Sequence, residues 1–133
     1  MCDFAGFREP EMVKLRPVIV VSPKLKHRDG LLTVVPLSTT PPLHVLGYHC
    51  EIAVTPPLPE PFDSPTMWVK GDMIYNVAFS RLELLRDRRD RASGRRRYFS
   101  RQIEAPDLIR IQRCVLEGLG LSQLTGNPQA TIL

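Results

Sequence analysis

The sequence has few of the residues that disulfide frameworks and metal sites require. Only three of its 133 residues are cysteines (Cys2, Cys50 and Cys114), and they are widely spaced. This odd number fits neither a disulfide-bonded secreted domain nor a zinc site. His44 and His49 beside Cys50 lack a fourth ligand at a characteristic spacing, which leaves a metal site there as a minor alternative. We therefore expect reduced thiols, a cytoplasmic location and no cofactor.

Long apolar runs and the signatures of common enzyme classes are also missing. No segment approaches the ~18 apolar residues that a membrane helix needs, and the N-terminus lacks the apolar stretch of a signal peptide. The chain has no Gly-rich phosphate loop, no H-E-x-x-H and no G-x-S-x-G motif. With 43% hydrophobic residues, it can bury one core. We predict a single domain over residues 1–121 and a poorly ordered tail over residues 122–133.

Positive charge is concentrated in one region. The net charge is +4, but residues 81–113 hold 11 arginines against five acidic residues, which gives +6 there and −2 elsewhere. This block favours a polyanionic partner, with nucleic acid as the first candidate. An equally weighted alternative is a solvated loop. Residues 86–97 (RDRRDRASGRRR) predict a mobile basic insertion, and the following Tyr98 and Phe99 either stack on bases or pin the loop onto the core.

Two apolar runs near the N-terminus predict a pair of antiparallel strands. Val18 to Val21 is β-branched throughout, and Leu31 to Val35 is the second run. The Asp29-Gly30 dipeptide between them is a strong hairpin signal. Arg16 stands at the start of the first strand, and three hydroxyl residues (Ser38, Thr39 and Thr40) follow the second. In an antiparallel pair these ends lie side by side, which brings a guanidinium close to hydroxyl groups.

The rest of the chain predicts more strands and one helix. Residues 49–54, 67–69 and 73–79 have strand patterns. Trp68 has apolar neighbours, so we favour a core position over a binding surface. Residues 105–120 predict a helix whose apolar stripe caps the sheet or, alternatively, forms a dimer interface; the stripe is Leu108, Ile111, Val115, Leu116 and Leu119.

Two motifs in this sequence resemble those of a known family. Arg16-Pro17-Val18-Ile19-Val20-Val21-Ser22-Pro23 and Val35-Pro36-Leu37-Ser38-Thr39 look like the conserved core of the PemK/MazF group of toxin endoribonucleases. Weaker similarities are Cys2-Asp3-Phe4, Gly71-Asp72-Met73-Ile74 and Ser80-Arg81-Leu82. The resemblance implies a mainly β fold, a small SH3-like antiparallel barrel with a C-terminal helix. It also implies a homodimer that holds RNA across its groove and is inhibited by a disordered antitoxin segment.

The resemblance further implies metal-independent cleavage of single-stranded RNA through its own 2′-OH. Arg16 would bind the phosphate. The hydroxyl would come from Ser38 when counted from Pro36, or from Thr39 when counted from Arg16. Glu11 matches an acidic loop position. Candidate RNA-binding cations are Lys14, Lys24, Arg95, Arg96 and Arg97.

Two alternatives to the nuclease remain open. The first is a non-catalytic module on the same barrel that binds nucleic acid or protein. The second and weaker one is inhibition of another enzyme by direct contact, since fold does not fix function.

Overall fold

The computed structural model describes residues 1–125 and shows a mainly β protein with one C-terminal helix. The strands are β1 (Val18–Val20), β2 (Leu31–Ser38), β3 (His49–Ala53), β4 (Thr66–Lys70), β5 (Tyr75–Ala78), β6 (Leu85–Arg89) and β7 (Arg96–Phe99), and the helix is α1 (Ala105–Gly118). The predicted tail falls largely on residues 126–133, which lie outside the described residues. Within the described part, no helix is long and apolar enough to cross a membrane.

Strand β2 is the centre of a five-stranded antiparallel sheet. It pairs with β1 and β5 along its first part, and its last two residues pair with β4, which also pairs with β3. The predicted hairpin of β1 and β2 is confirmed. Within residues 1–125 no ladder joins the outer strands β1 and β3. Closure of the sheet into a barrel therefore stays a prediction.

The sheet buries apolar side chains on both faces, as the unbroken apolar runs of β1 and β2 indicate. One face carries Val35 and Leu37 of β2 and packs against Ile111 of α1. We call this cluster the main core. The other face carries Val34, which packs with Cys2 and Phe4 of the N-terminal segment. Adjacent residues of β2 thus serve different cores, since side chains alternate across a strand.

Helix α1 occupies the predicted region, and Ile111 and Val115 of the predicted stripe pack against the sheet core. Ile111 and Cys114 are its buried residues, whereas Leu119 follows the end of the helix and is 57% exposed. A Cβ added at Gly71 would lie 2.6 Å from the carbonyl carbon of Cys114, so the helix rests directly on the turn after β4. The inclusion of Leu119 in the packed stripe is therefore wrong, because the helix stops before it.

The structure differs from the mobile loop predicted for residues 86–97. Strands β6 and β7 form a two-stranded antiparallel hairpin. Its turn is held by Asp90, whose Oδ1 accepts the amides of Ala92 at 2.9 Å and Ser93 at 2.8 Å. Gly94 supplies the positive φ of +64° that the turn needs. Phe99 packs against the main core, which leaves only Tyr98 facing solvent.

Candidate functional site

The register of β1 and β2 places Arg16 opposite Ser38. Val18 faces Pro36 in the ladder. The amide of Leu37 donates to the carbonyl of Pro17 at 2.9 Å, which carries the same register one residue further. One residue further along the strands, the same register sets Arg16 opposite Ser38. Directly opposite residues share one face of a sheet, with Cβ atoms roughly 4.5–5.5 Å apart. The register thus places a guanidinium and a hydroxyl side chain on the same face at the end of these strands.

This pairing continues across the sheet into a row of four residues. Ser38 pairs with Trp68 of β4, and Trp68 pairs with Glu51 of β3. We call Arg16, Ser38, Trp68 and Glu51 the cross-strand row. Because opposite residues share a face, a cation, an alcohol, an indole ring and a carboxylate line up on one surface.

Trp68 is therefore not the core residue that its apolar neighbours suggested. Met67 and Val69 on either side of it are fully buried in the main core. The alternation of β4 turns Trp68 to the opposite face, where it is half-buried. Its position beside Ser38 makes it part of the candidate site. No local pattern indicates this position, because the register of β2 against β4 is set across a long intervening segment.

Arg16 is held in place by its backbone, while its side chain lacks a full set of partners. Its amide and carbonyl bond to Cys2 at 3.2 Å and 2.7 Å. The side-chain Nε is buried without a hydrogen-bond partner. Within residues 1–125 no carboxylate forms an ion pair with this guanidinium. A buried donor without a partner costs about 1–3 kcal/mol, and an anionic ligand would remove that cost.

Ser38 is the hydroxyl residue that belongs to the row. It is a buried polar residue, 7% exposed, and its Oγ accepts the amide of Thr40 at 3.1 Å. A hydroxyl that accepts one bond keeps its proton for another partner. Thr39 lies beyond the end of β2 and is exposed. The geometry therefore brings Ser38, rather than Thr39, together with Arg16.

Comparison with known proteins gives a family match that covers most of the chain. The family model described as "PemK-like, MazF-like toxin of type II toxin-antitoxin system" matches residues 1–97. The chain belongs to this toxin family. The match includes the whole cross-strand row and most of the β6–β7 hairpin. Toxins of type II systems are paired with an antitoxin, so membership implies a partner of that kind.

Two curated relatives match this toxin over most of its length. An uncharacterized protein of Haemophilus influenzae is 31% identical over 126 residues, which cover 92% of this chain and 81% of the relative. The putative uncharacterized protein YifN of Escherichia coli K12 is 34% identical over 125 residues, covering 91% and 77%. The similarity thus extends beyond residue 97 into helix α1.

The other predicted site residues of the toxin lie outside the row. Glu11 is exposed, and its Oε2 accepts the amide of Arg8 at 2.7 Å, which closes a turn in the N-terminal loop. Lys14 is exposed two residues before Arg16, and Lys24 is exposed in the β1–β2 connection. The three arginines at positions 95–97 lie on the separate hairpin. The structure thus aligns Arg16 with Ser38. It adds Trp68, whose apolar neighbours favour a core position, and Glu51, which no sequence pattern indicates.

The histidine and cysteine residues near β3 have local structural roles. Nδ1 of His49 accepts the amide of Leu46 at 3.2 Å. The neighbouring Cys114 thiol on α1 lowers the pKa of Cys50, whereas the Cys50 thiol and burial raise the pKa of Cys114. Within the described residues, no group of three potential ligands is arranged to hold a metal ion.

Proposed function

We propose that this toxin is an endoribonuclease that cleaves single-stranded RNA without a metal ion. The observation that supports it best is Arg16, whose buried Nε lacks a partner directly opposite the hydroxyl of Ser38. A phosphodiester between them would receive a permanent cation and a hydroxyl donor. No counter-charge within the described residues competes for that cation.

The chemistry follows from what RNA itself provides. The 2′-OH loses its proton and attacks the adjacent phosphorus, and the 5′-oxygen leaves with a proton. The guanidinium of Arg16 stabilises the extra negative charge on the phosphorane-like state. One preorganised donor of this kind is worth roughly 10²–10³ in rate. Ser38 would orient the phosphate or the 2′-OH through its remaining hydroxyl proton.

One carboxylate is the candidate for the proton transfers. Glu11 is the acidic residue of the loop before β1, and its carboxylate is exposed. Glu51 ends the cross-strand row and is also exposed, but it lies two strand spacings, roughly 9–10 Å, from Ser38 and so does not reach the phosphate. Trp68 lies between Ser38 and Glu51, so its ring would hold a base beside the bound phosphate. Lys14 and Lys24, and the arginines at 95–97, would contact phosphates of the flanking strand.

The assembly and location of the toxin belong to the same proposal. Its sheet would close into a small SH3-like barrel, and two copies would form a homodimer with RNA across their groove. A disordered segment of the antitoxin would occupy that groove. The protein would act in the cytoplasm, where its RNA substrate is.

Cleavage of a labelled single-stranded oligoribonucleotide in EDTA tests this function. Arg16→Ala and Ser38→Ala should each reduce the cleavage rate, Arg16→Ala by at least about 10²-fold. Thr39→Ala is the matched control and should retain most activity. Attack by the 2′-OH predicts products that end in a 2′,3′-cyclic phosphate. Cleavage by Arg16→Ala at the wild-type rate, or an absolute need for a divalent metal, would reject the mechanism.

The arginine-rich hairpin favours a second candidate, a module that binds nucleic acid without cutting it. Seven arginines lie between residues 85 and 99. Recovery of intact RNA bound to the wild-type protein, with an affinity that falls with salt, would support this candidate against the nuclease.

A further inference from the structure

The β6–β7 hairpin, which we call the arginine ribbon (residues 85–99), is a separate two-stranded sheet. Seven arginines and only two acidic residues lie within it. Leu85 and Phe99 face each other at its base and pack against the main core. All residues from 86 to 98 apart from Asp90 are exposed. The ribbon therefore presents an exposed basic surface anchored at one end.

Both acidic side chains of the ribbon accept hydrogen bonds from the ribbon's own backbone amides. Oδ1 of Asp87 accepts the amide of Arg88 at 2.7 Å. Oδ1 of Asp90 accepts two turn amides and the hydroxyl of Ser93, and these bonds hold its pKa below the usual value. Within residues 1–125, the ribbon's single ion pair joins Arg86 to Glu83 at 3.9 Å with both side chains exposed. Most of the positive charge is therefore not paired.

The register of the ribbon sorts its side chains onto two faces. Arg86 pairs with Tyr98, and after a bulge Arg89 pairs with Arg96. Arg96 and Tyr98 are two residues apart on β7 and so share a face. We call this the outer face of the ribbon. It holds Tyr98, which is 49% exposed, together with Arg86, Arg89 and Arg96. Like charges directly opposite each other, as at Arg89 and Arg96, destabilise a strand pair.

We propose that this outer face binds single-stranded RNA, with a base stacked on Tyr98 and phosphates held by Arg86, Arg89 and Arg96. An aromatic ring among cations is the composition of surfaces that bind single strands. A stacked base must be unpaired, which selects a single strand over a duplex. Phosphates between Arg89 and Arg96 would offset their repulsion. The proposal rests on the proposed function for the choice of RNA, but binding at the ribbon does not depend on cleavage.

The experiment uses the full chain carrying Arg16→Ala, so that binding is measured without cutting. Fluorescence anisotropy gives the Kd for a labelled 12-nucleotide single-stranded RNA and for the duplex of the same sequence, each at several salt concentrations. Tyr98→Ala should weaken single-strand binding by roughly 5- to 150-fold, the loss of one stacked base. Tyr98→Phe keeps the ring and should stay within about threefold. Circular dichroism of each variant checks that the fold is retained.

The charge arm compares Arg96→Gln with Arg113→Gln, an exposed arginine on α1. Both remove one positive charge from the whole protein. Only Arg96→Gln should reduce the slope of log K against log salt, by about 0.7 for one single-strand phosphate contact. Equal slopes for these two variants, equal affinities for Tyr98→Ala and the parent, or tighter binding of the duplex would each overturn the proposal.

These outcomes are separate from those that test the nuclease. If the wild-type protein does not cleave RNA but the Tyr98 and Arg96 effects hold, the ribbon proposal stands and the nuclease fails. If Arg16 and Ser38 are required for cleavage but the ribbon variants bind as tightly as the parent, the reverse applies.

Discussion

Replacing Arg16 by methionine should make the protein more stable while it removes activity. The side chain is half-buried, and its Nε is enclosed without a hydrogen-bond partner. An unpaired buried donor costs about 1–3 kcal/mol. Methionine keeps an unbranched stem of similar length and carries no donor. Methionine also loses the packing contacts of the guanidinium atoms, which offsets part of this stabilisation. We therefore expect a net gain of about 1 kcal/mol in the free energy of unfolding.

For a chain of this length, that gain corresponds to a rise of roughly 3–5 °C in Tm. Urea unfolding followed by circular dichroism, at one fixed protein concentration because a dimer would make stability concentration-dependent, gives the free energy directly. The cleavage rate of the same preparation should fall at least about 10²-fold. Lys14→Met is the matched control: Lys14 is exposed two residues away, so its stability should change by no more than about 0.5 kcal/mol.

Two results would refute the reasoning. A loss of more than about 1 kcal/mol in Arg16→Met, beyond the change in the Lys14 control, would mean that the arginine supports the fold. Wild-type cleavage by a stable Arg16→Met protein would mean that the guanidinium is not part of the chemistry.

Two further predictions concern the packing of α1. Gly71→Ala should lower the free energy of unfolding by about 1–3 kcal/mol, because its Cβ would lie 2.6 and 2.7 Å from backbone atoms of Cys114. Gly47→Ala is the control and should be tolerated, because its Cβ would meet only the end of the Glu117 side chain at 3.2 Å. Equal thermal melting of the two variants would contradict this prediction. The neighbouring Cys114 thiol lowers the pKa of Cys50, so Cys114→Ala should move the midpoint of Cys50 alkylation by iodoacetamide to higher pH, as followed by peptide mass mapping. An unchanged midpoint would mean that Cys114 is not the cause of the lowered pKa.

Local sequence signals were enough where partners are close along the chain. The β-branched run of β1, the Asp29-Gly30 turn and the apolar run of β2 specify a hairpin whose register then aligns Arg16 with Ser38. The helix and the packing of Ile111 and Val115 were predictable from its periodicity, although the burial of Cys114 was not. Cys114 packs because the turn at Gly71 allows the helix to approach closely, and no pattern within the helix reports that turn.

The candidate site was only half predictable for the same reason. Trp68 and Glu51 reach the row because β4 pairs with both β2 and β3. These pairings join segments far apart in sequence, and a shift of one residue would turn each side chain to the other face. The basic character of the arginine ribbon was predicted, but its two strands were not, for a different reason. Its strands are rich in arginine instead of β-branched residues. Their strand conformation is stabilised by the Asp90 turn and by the packing of Leu85 and Phe99 against the main core.

The two proposed sites share a physical feature that would suit one ligand. At Arg16 the fold encloses a guanidinium nitrogen without a partner. On the ribbon it sets Arg89 directly opposite Arg96. Both arrangements cost folding free energy in the free protein, and both are relieved by an anion with several oxygen acceptors. A phosphodiester strand supplies such groups at regular intervals, and its bases can stack on rings such as Trp68 and Tyr98, one at each site. Within the described residues, incompletely paired cations thus share a sheet face with an aromatic ring in two separate sheets, an arrangement that the proposed nucleic-acid binding accounts for and packing alone does not.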